Sequence, residues 1–249
     1  MGGERGFTLT ELVLVIVILG IVATISVRFI QLSSQGAIDT AERQQMAMAA
    51  SIMTERISRE LREALPTSIE ARDGGGCVEF IPIKAGGRYT DGDRTRSLSS
   101  FQTEGQALEG GVTGKVSVYP YAGNPYSPGN PATVSQQNAT WFDNTVAFTG
   151  GEQSFRANSP QRRFYQVESP VAYCAESGFL RRYSGYRIGE DFRSGTSAVA
   201  GAGLATASFS VDAPTLTRNA LVTIELELDA TRTEESYSLA QEVQIRNVP

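Results

Sequence analysis

The residues able to do chemistry in this chain are bounded first by an omission. None of the 249 residues is a histidine. That removes the commonest general base, the commonest metal ligand and every Ser-His or Cys-His nucleophile pair. Carboxylates remain. Glu225, Glu227 and Asp229 alternate with leucines, a spacing that sets them on the wet face of a strand rather than in an acid–base pair. Asp91-Gly92-Asp93 starts like a calcium loop but lacks the later ligands and closing glutamate, so a solvated turn accounts for it. Arg162-Arg163 and Arg181-Arg182 make a basic patch only if a hairpin joins them. There is no Walker sequence and no zinc-ligand spacing. No catalytic residue, metal or cofactor is expected, and the chain does not read as an enzyme. Its net charge of -5 argues against the basic face that nucleic-acid binding needs, so no nucleic-acid partner is expected.

One carboxylate stands where it should be costly. Phe7 to Val27 is an apolar run, enough for roughly 30 Å of helix, the thickness of a bilayer core. Glu11 lies inside it. An acidic group at mid-bilayer costs about 2.5–3.5 kcal/mol, so an intramembrane glutamate is a functional residue by default. Residues 1–6 are short and weakly positive, with Arg5 and the α-amine set against Glu4, which keeps them cytoplasmic. A cut after Gly6 would create a cationic amine on Phe7. Glu11 lies about one helical turn further on, so an axially shifted neighbour could offer its amine to Glu11. An ordinary secretory signal and an unprocessed anchor are the alternatives. The first would place a small-residue cut at the far end, where Ile21-Val22-Ala23 is a poor site.

Gly6-Phe7-Thr8-Leu9-Thr10-Glu11-Leu12, followed by an apolar helix, resembles the class III signal of type IV prepilins and pseudopilins. The resemblance implies that a prepilin peptidase cuts after Gly6 and methylates Phe7. It also implies that Glu11 pairs with the terminal amine of an adjacent subunit during assembly. Thr10, where many members carry isoleucine, and Arg28, where major pilins commonly place proline, depart from the pattern. A finer likeness rests on Ile57-Ser58-Arg59-Glu60-Leu61-Arg62-Glu63-Ala64-Leu65-Pro66, Cys77 to Ile83, Gly86-Gly87-Arg88-Tyr89 and Gln244 to Pro249. These are similar to minor pilin-like proteins of mannose-sensitive haemagglutinin (MSHA) pilus biogenesis. The implied partners are prepilin peptidase, other minor and major pilins, the inner-membrane assembly platform and inner-membrane lipid. The implied location is the inner membrane with a periplasmic head, then the pilus surface. The alternatives are a pseudopilin of a type II secretion system and a tip adhesin or ligand-binding subunit.

The elements that must position these residues follow from periodicity. The expected order is a leader (1–6), a transmembrane and assembly helix (7–28), an amphipathic continuation (29–65) and a β-rich periplasmic head (66–249). Met46, Ala50, Met53, Ile57, Leu61 and Ala64/Leu65 form one apolar stripe. Pro66 ends the helix near Leu65. Strands are expected at Cys77–Ile83, Lys115–Tyr119, Thr145–Thr149, Phe164–Cys174, Phe179–Tyr186, Leu221–Leu228 and Ser236–Val248. Tyr121–Thr140 and Gly189–Ala205 read as loops. The fold class is therefore α+β: a long N-terminal helix packed on a mostly antiparallel sheet. Cys77 and Cys174 are the only cysteines. In a periplasmic head they are expected to form one disulfide; separate buried thiols are the alternative.

Overall fold

A computed structural model of the chain describes residues 8–90, 92–105, 108–216, 218–230 and 235–246. The fold is α+β. Helix α1 (Leu9–Arg62) is one element of 54 residues, about 80 Å long at 1.5 Å per residue. Its first turn carries Glu11 and its last turn Arg59 and Arg62, charges that suit the two ends of the helix dipole. It stops three residues short of the expected Leu65 because the Leu65 amide leaves the helix to donate to the Ile81 carbonyl at 2.9 Å.

The ladders between the named strands of the head are all antiparallel, but they do not form one sheet. A five-stranded sheet runs in the order β1 (Glu70–Arg72), β2 (Cys77–Phe80), β9 (Val171–Glu176), β10 (Phe179–Ser184), β11 (Thr196–Ala202). A three-stranded sheet holds β12 (Leu204–Asp212), β13 (Ala220–Asp229) and β14 (Ser236–Ile245). The remaining strands close into a barrel in the order β3 (Ile83–Tyr89), β4 (Ser100–Glu104), β7 (Thr145–Phe148), β6 (Val134–Asp143), β5 (Leu108–Val118), β8 (Arg163–Val167), with β8 pairing back to β3. The barrel is thus an insertion between β2 and β9, which pair directly: Cys77 stands opposite Cys174 and Phe80 opposite Val171.

Proline decides where sheet becomes barrel. The β2–β9 ladder ends at Phe80 and Val171, and the β3–β8 ladder resumes at Ile83 and Val167. Pro82 and Pro170 lie in the two gaps. Neither has an N–H for the ladder, so two expected long strands, Cys77–Ile83 and Phe164–Cys174, each divide there. The gap is bonded to the helix end: Ile83 N donates to the Glu63 carbonyl at 2.8 Å.

Two stretches read as loops contain strands. β6 begins at Val134 and β11 at Thr196. β11 escaped notice because it is small and largely exposed (Thr-Ser-Ala-Val-Ala-Gly-Ala) and has no apolar alternation. Smallness has a use there: a Cβ on Gly201 would come within 2.1 Å of Met53 Sδ, so glycine lets the helix approach β11 closely. The Pro-rich loop before β6 is tied down by Tyr126, whose buried hydroxyl donates to the Ser68 carbonyl at 2.7 Å.

The helix stripe Met46, Ala50, Met53, Ile57 and Leu61 is buried, sharing a core with Phe80, Tyr173, Phe209, Ile224 and Val243 from both open sheets. Burying each larger member contributes about 1.5–3 kcal/mol. Along β13 the pattern alternates, with Val222, Ile224, Leu226 and Leu228 inward. The barrel has its own aromatic core, in which Phe164 meets Trp141 at 4.9 Å and Phe101 at 5.1 Å between ring centroids. Gly87 makes room for it, since a Cβ there would stand 2.8 Å from the Trp141 ring.

Polar contacts fix the helix against the sheet. Glu60 accepts from the Tyr173 hydroxyl at 2.7 Å and from Arg182 Nε at 3.0 Å. Burial, reinforced by Glu60, raises the Tyr173 pKa, so the phenol stays a donor at any physiological pH. Glu60→Ala leaves both donors without this acceptor and should lower head stability by about 1–2 kcal/mol, less than a fully buried loss because the site is part-exposed. Urea unfolding should show the drop, and Glu60→Gln should recover part of it.

Cys77 and Cys174 are disulfide-bonded across a sequence separation of 97. The loop so closed is the barrel. Chain entropy sets an upper figure of roughly 4–5 kcal/mol for such a constraint. Cys77→Ser with Cys174→Ser should lower the unfolding free energy by about 2–5 kcal/mol in urea titration. Reductant should have a similar effect on the wild type and none on the double variant.

Candidate assembly surface

The helix N-terminus is locally well specified. Thr8 is the N-cap, extended at φ −81° and ψ 151°, and its Oγ1 accepts the Glu11 amide at 3.3 Å. Its carbonyl accepts from Leu12 N at 3.2 Å. Thr8 and Glu11 have the spacing of a capping box, and the acidic residue lies near the positive end of the helix dipole. Glu11 thus also suits the helix start, its carboxylate lying in the first turn at the positive end of the dipole. The signal was legible as Thr-x-x-Glu ahead of an apolar run. Gly6 and Phe7 lie outside the described residues.

From residue 8 to residue 38 every position is exposed. The apolar side chains cover all sides of the helix, from Leu9 at 80% exposed to Leu32 at 75%. An 18-residue window reaches a mean hydropathy of 2.7 with none of it buried against the head. By length and composition this segment can cross a membrane. Within it the Thr24 hydroxyl is satisfied inside the helix, donating toward the Gly20 and Ile21 carbonyls at 2.9 and 2.8 Å. That avoids the cost of an unpaired polar group in lipid.

Beyond the free half, α1 shows two faces. One is the stripe buried in the head. The other presents Met48 and Ile52, 64% and 68% exposed and one turn apart, flanked by Glu55, Arg56 and Arg59. At the start of this half Arg43 pairs with Glu235 at the head's C-terminal sheet, its Nε donating at 2.6 Å. A turn of helix that points both ways, into its own head and out, can seat the subunit against a neighbour without disturbing its core.

The other singled-out residues do not gather into a site. Arg163 lies in the barrel and Arg181 and Arg182 in the five-stranded sheet, so no hairpin joins the two arginine pairs. Arg162 pairs with Glu104, Arg181 with Glu176 and Arg182 with Glu60. Glu225 and Asp229 are exposed and Glu227 half-buried on the outer face of β13. Asp91 lies outside the described residues. Asp93 is taken up by local donors: hydrogen bonds from the Thr95 hydroxyl and amide and from Asn158, aided by Arg96, pull its pKa down to about 2. Among the described residues no cluster of acidic or cysteine side chains could hold a metal ion.

Against this geometry, the comparisons with known proteins are specific at one end. The family described as the prokaryotic N-terminal methylation motif matches residues 1–27. No curated protein and no solved structure matches the chain. The matched residues take in the Gly6–Phe7 junction, the capped helix start, Glu11 and the whole apolar run from Phe7 to Val27. Carried on an exposed membrane-length helix with an antiparallel head, this motif indicates a type IV pilin-type subunit.

Proposed function

We propose that the chain is a minor-pilin-type structural subunit in the biogenesis of an MSHA-type pilus, acting in initiation or at the filament tip. The observation that carries this reading is the division of α1: its leading half is apolar, exposed and headed by Glu11, and its trailing half is locked into a head. Such a helix needs lipid before assembly and neighbouring helices after it, because an apolar surface of that size is not stable in water. The residues similar to minor pilin-like proteins of MSHA pilus biogenesis, at Ile57–Pro66, Cys77–Ile83, Gly86–Tyr89 and Gln244–Pro249, support the choice among pilus systems. The barrel insertion supports a terminal position. Helices packed side by side in a shaft hold their heads at a fixed spacing, and a head widened by a second lobe is accommodated most easily where neighbours are missing.

On this reading prepilin peptidase removes residues 1–6 after Gly6 and the new terminus, Phe7, is N-methylated. Glu11 then receives the terminal amine of an adjacent pilin, offsetting the cost of a carboxylate in an apolar environment. The partners are the other minor and major pilins and the inner-membrane assembly platform. The head lies in the periplasm until assembly carries it to the surface.

Mass spectrometry of the membrane-inserted protein should find methylated Phe7 at the mature terminus, and Gly6→Val should retain the leader. A terminus beyond Val22 would refute the prepilin processing. Deletion of the gene should abolish or sharply reduce surface pili while major-pilin levels hold. Complementation with Glu11→Leu should restore membrane insertion but not piliation; full piliation by that variant would remove the assembly role.

A further inference from the structure

The junction of barrel and sheet, which the filament reading does not use, holds a half-open groove of about 880 Å³. That lies within the usual range for ligand sites, about 300–1,000 Å³. The charged residues among its described lining are Lys84, Lys115, Arg182, Arg187 and Glu168. The groove is thus cationic in a chain whose net charge is -5. Segregation of this kind focuses positive potential where an anion can enter.

The cations differ in how far they are engaged. Arg182 is committed to Glu60 on the helix. Lys84 reaches Glu168 only at 3.8 Å, with both side chains well exposed. Arg187 is 88% exposed and meets Glu190 at 3.8 Å, a loose surface pair. Lys115 is half-buried, and its ammonium donates to the Ser135 and Gln136 carbonyls, neutral acceptors that leave its charge uncompensated. Burial lowers its pKa, a desolvation that an incoming anion would offset. Lys115 is held at this depth by its neighbour. A Cβ on Gly114 would stand 2.6 Å from the Val167 carbonyl, so only glycine lets β5 run this close to β8.

Between the cations the lining is neutral and hydrogen-bonding: Thr113, Gln136 and Asn138 are all exposed there. We infer that the groove binds an acidic polysaccharide, with ring carboxylates on Lys115, Lys84 and Arg187 and ring hydroxyls on Gln136, Asn138 and Thr113. Interleaved cations and amides match a polymer whose charges are separated by hydroxyl-bearing rings. Nucleic acid fits less well, since the described lining has no aromatic side chain on which a base could stack. An acidic peptide fits less well too, for want of a deep apolar or aromatic pocket to take an anchor residue.

Isothermal titration of the detergent-solubilised full chain tests this, with polygalacturonate as the probe and dextran, duplex DNA and polyglutamate as comparisons. Polygalacturonate should bind at low salt and weaken as salt rises, and dextran should not bind. Lys84→Gln with Arg187→Gln touches only exposed side chains. It should weaken binding by about tenfold or more with an unchanged unfolding midpoint. Lys115→Gln should weaken it further, its folding checked by the same midpoint. No binding of polygalacturonate, equal binding by the double variant, or tighter binding of DNA or polyglutamate would each overturn the assignment.

Discussion

The head depends on one strand pairing, that of β2 with β9. Everything from Ile83 to Val167 leaves from the end of β2 and returns to the start of β9. The two strands must meet in register for the helix core to form, because Val78, Phe80, Val171 and Tyr173 are all part of it. Closing so long a detour is entropically costly, and loop-closure cost must be met before the contacts it permits can stabilise anything. The Cys77–Cys174 bond, placed at directly opposed residues of this pairing, removes that cost from the unfolded chain. With the stems fixed, the barrel can fold on its own aromatic core and the helix on its own stripe.

The two stems also explain why the barrel does not swing as a separate body on a linker. The β3–β8 ladder resumes within a few residues of the β2–β9 ladder, so the connection is a nearly continuous pair of strands interrupted by Pro82 and Pro170. Ile83 bonds to Glu63, Leu65 to Ile81 and Tyr126 to Ser68. A third apolar cluster, with Leu65, Ile81, Tyr126, Val134, Val167 and Ile188, fills the seam. The cationic groove opens beside this seam, so its walls come from both lobes and are held at a fixed separation.

Much of this was legible in the sequence, where the physical signal is local. The apolar run and its glutamate, the 3.6-residue stripe from Met46 to Leu61 and the period-two alternation of Leu221–Leu228 each specify their element without outside help. The division into a barrel and two sheets was not legible, because strand pairing is decided by contacts between distant residues. Pro170 gave a local warning equal to that of Pro82, yet Phe164–Cys174 read as one strand because residues of high strand propensity (Phe164, Tyr165, Val167, Val171, Tyr173) lie on both sides of the gap. β11 was hidden for the opposite reason: its small residues suit a close helix approach and leave no pattern. At the assembly end, Glu11 stood out by its cost, while Thr8, which caps the same turn, looked ordinary.

The position of the disulfide also sets how the head carries tension. A pull entering through α1 passes along β1 to Cys77, the first residue of β2, crosses to Cys174 and continues through the end of β9 into the C-terminal strands. The barrel hangs off this route and bears none of the load. The sequence separation of 97 amounts to about 340 Å of extended chain at roughly 3.5 Å per residue. In the oxidised head that slack is locked away, so a stretched subunit yields only its helix and open sheets while the barrel, and one wall of the groove with it, keeps its shape under force.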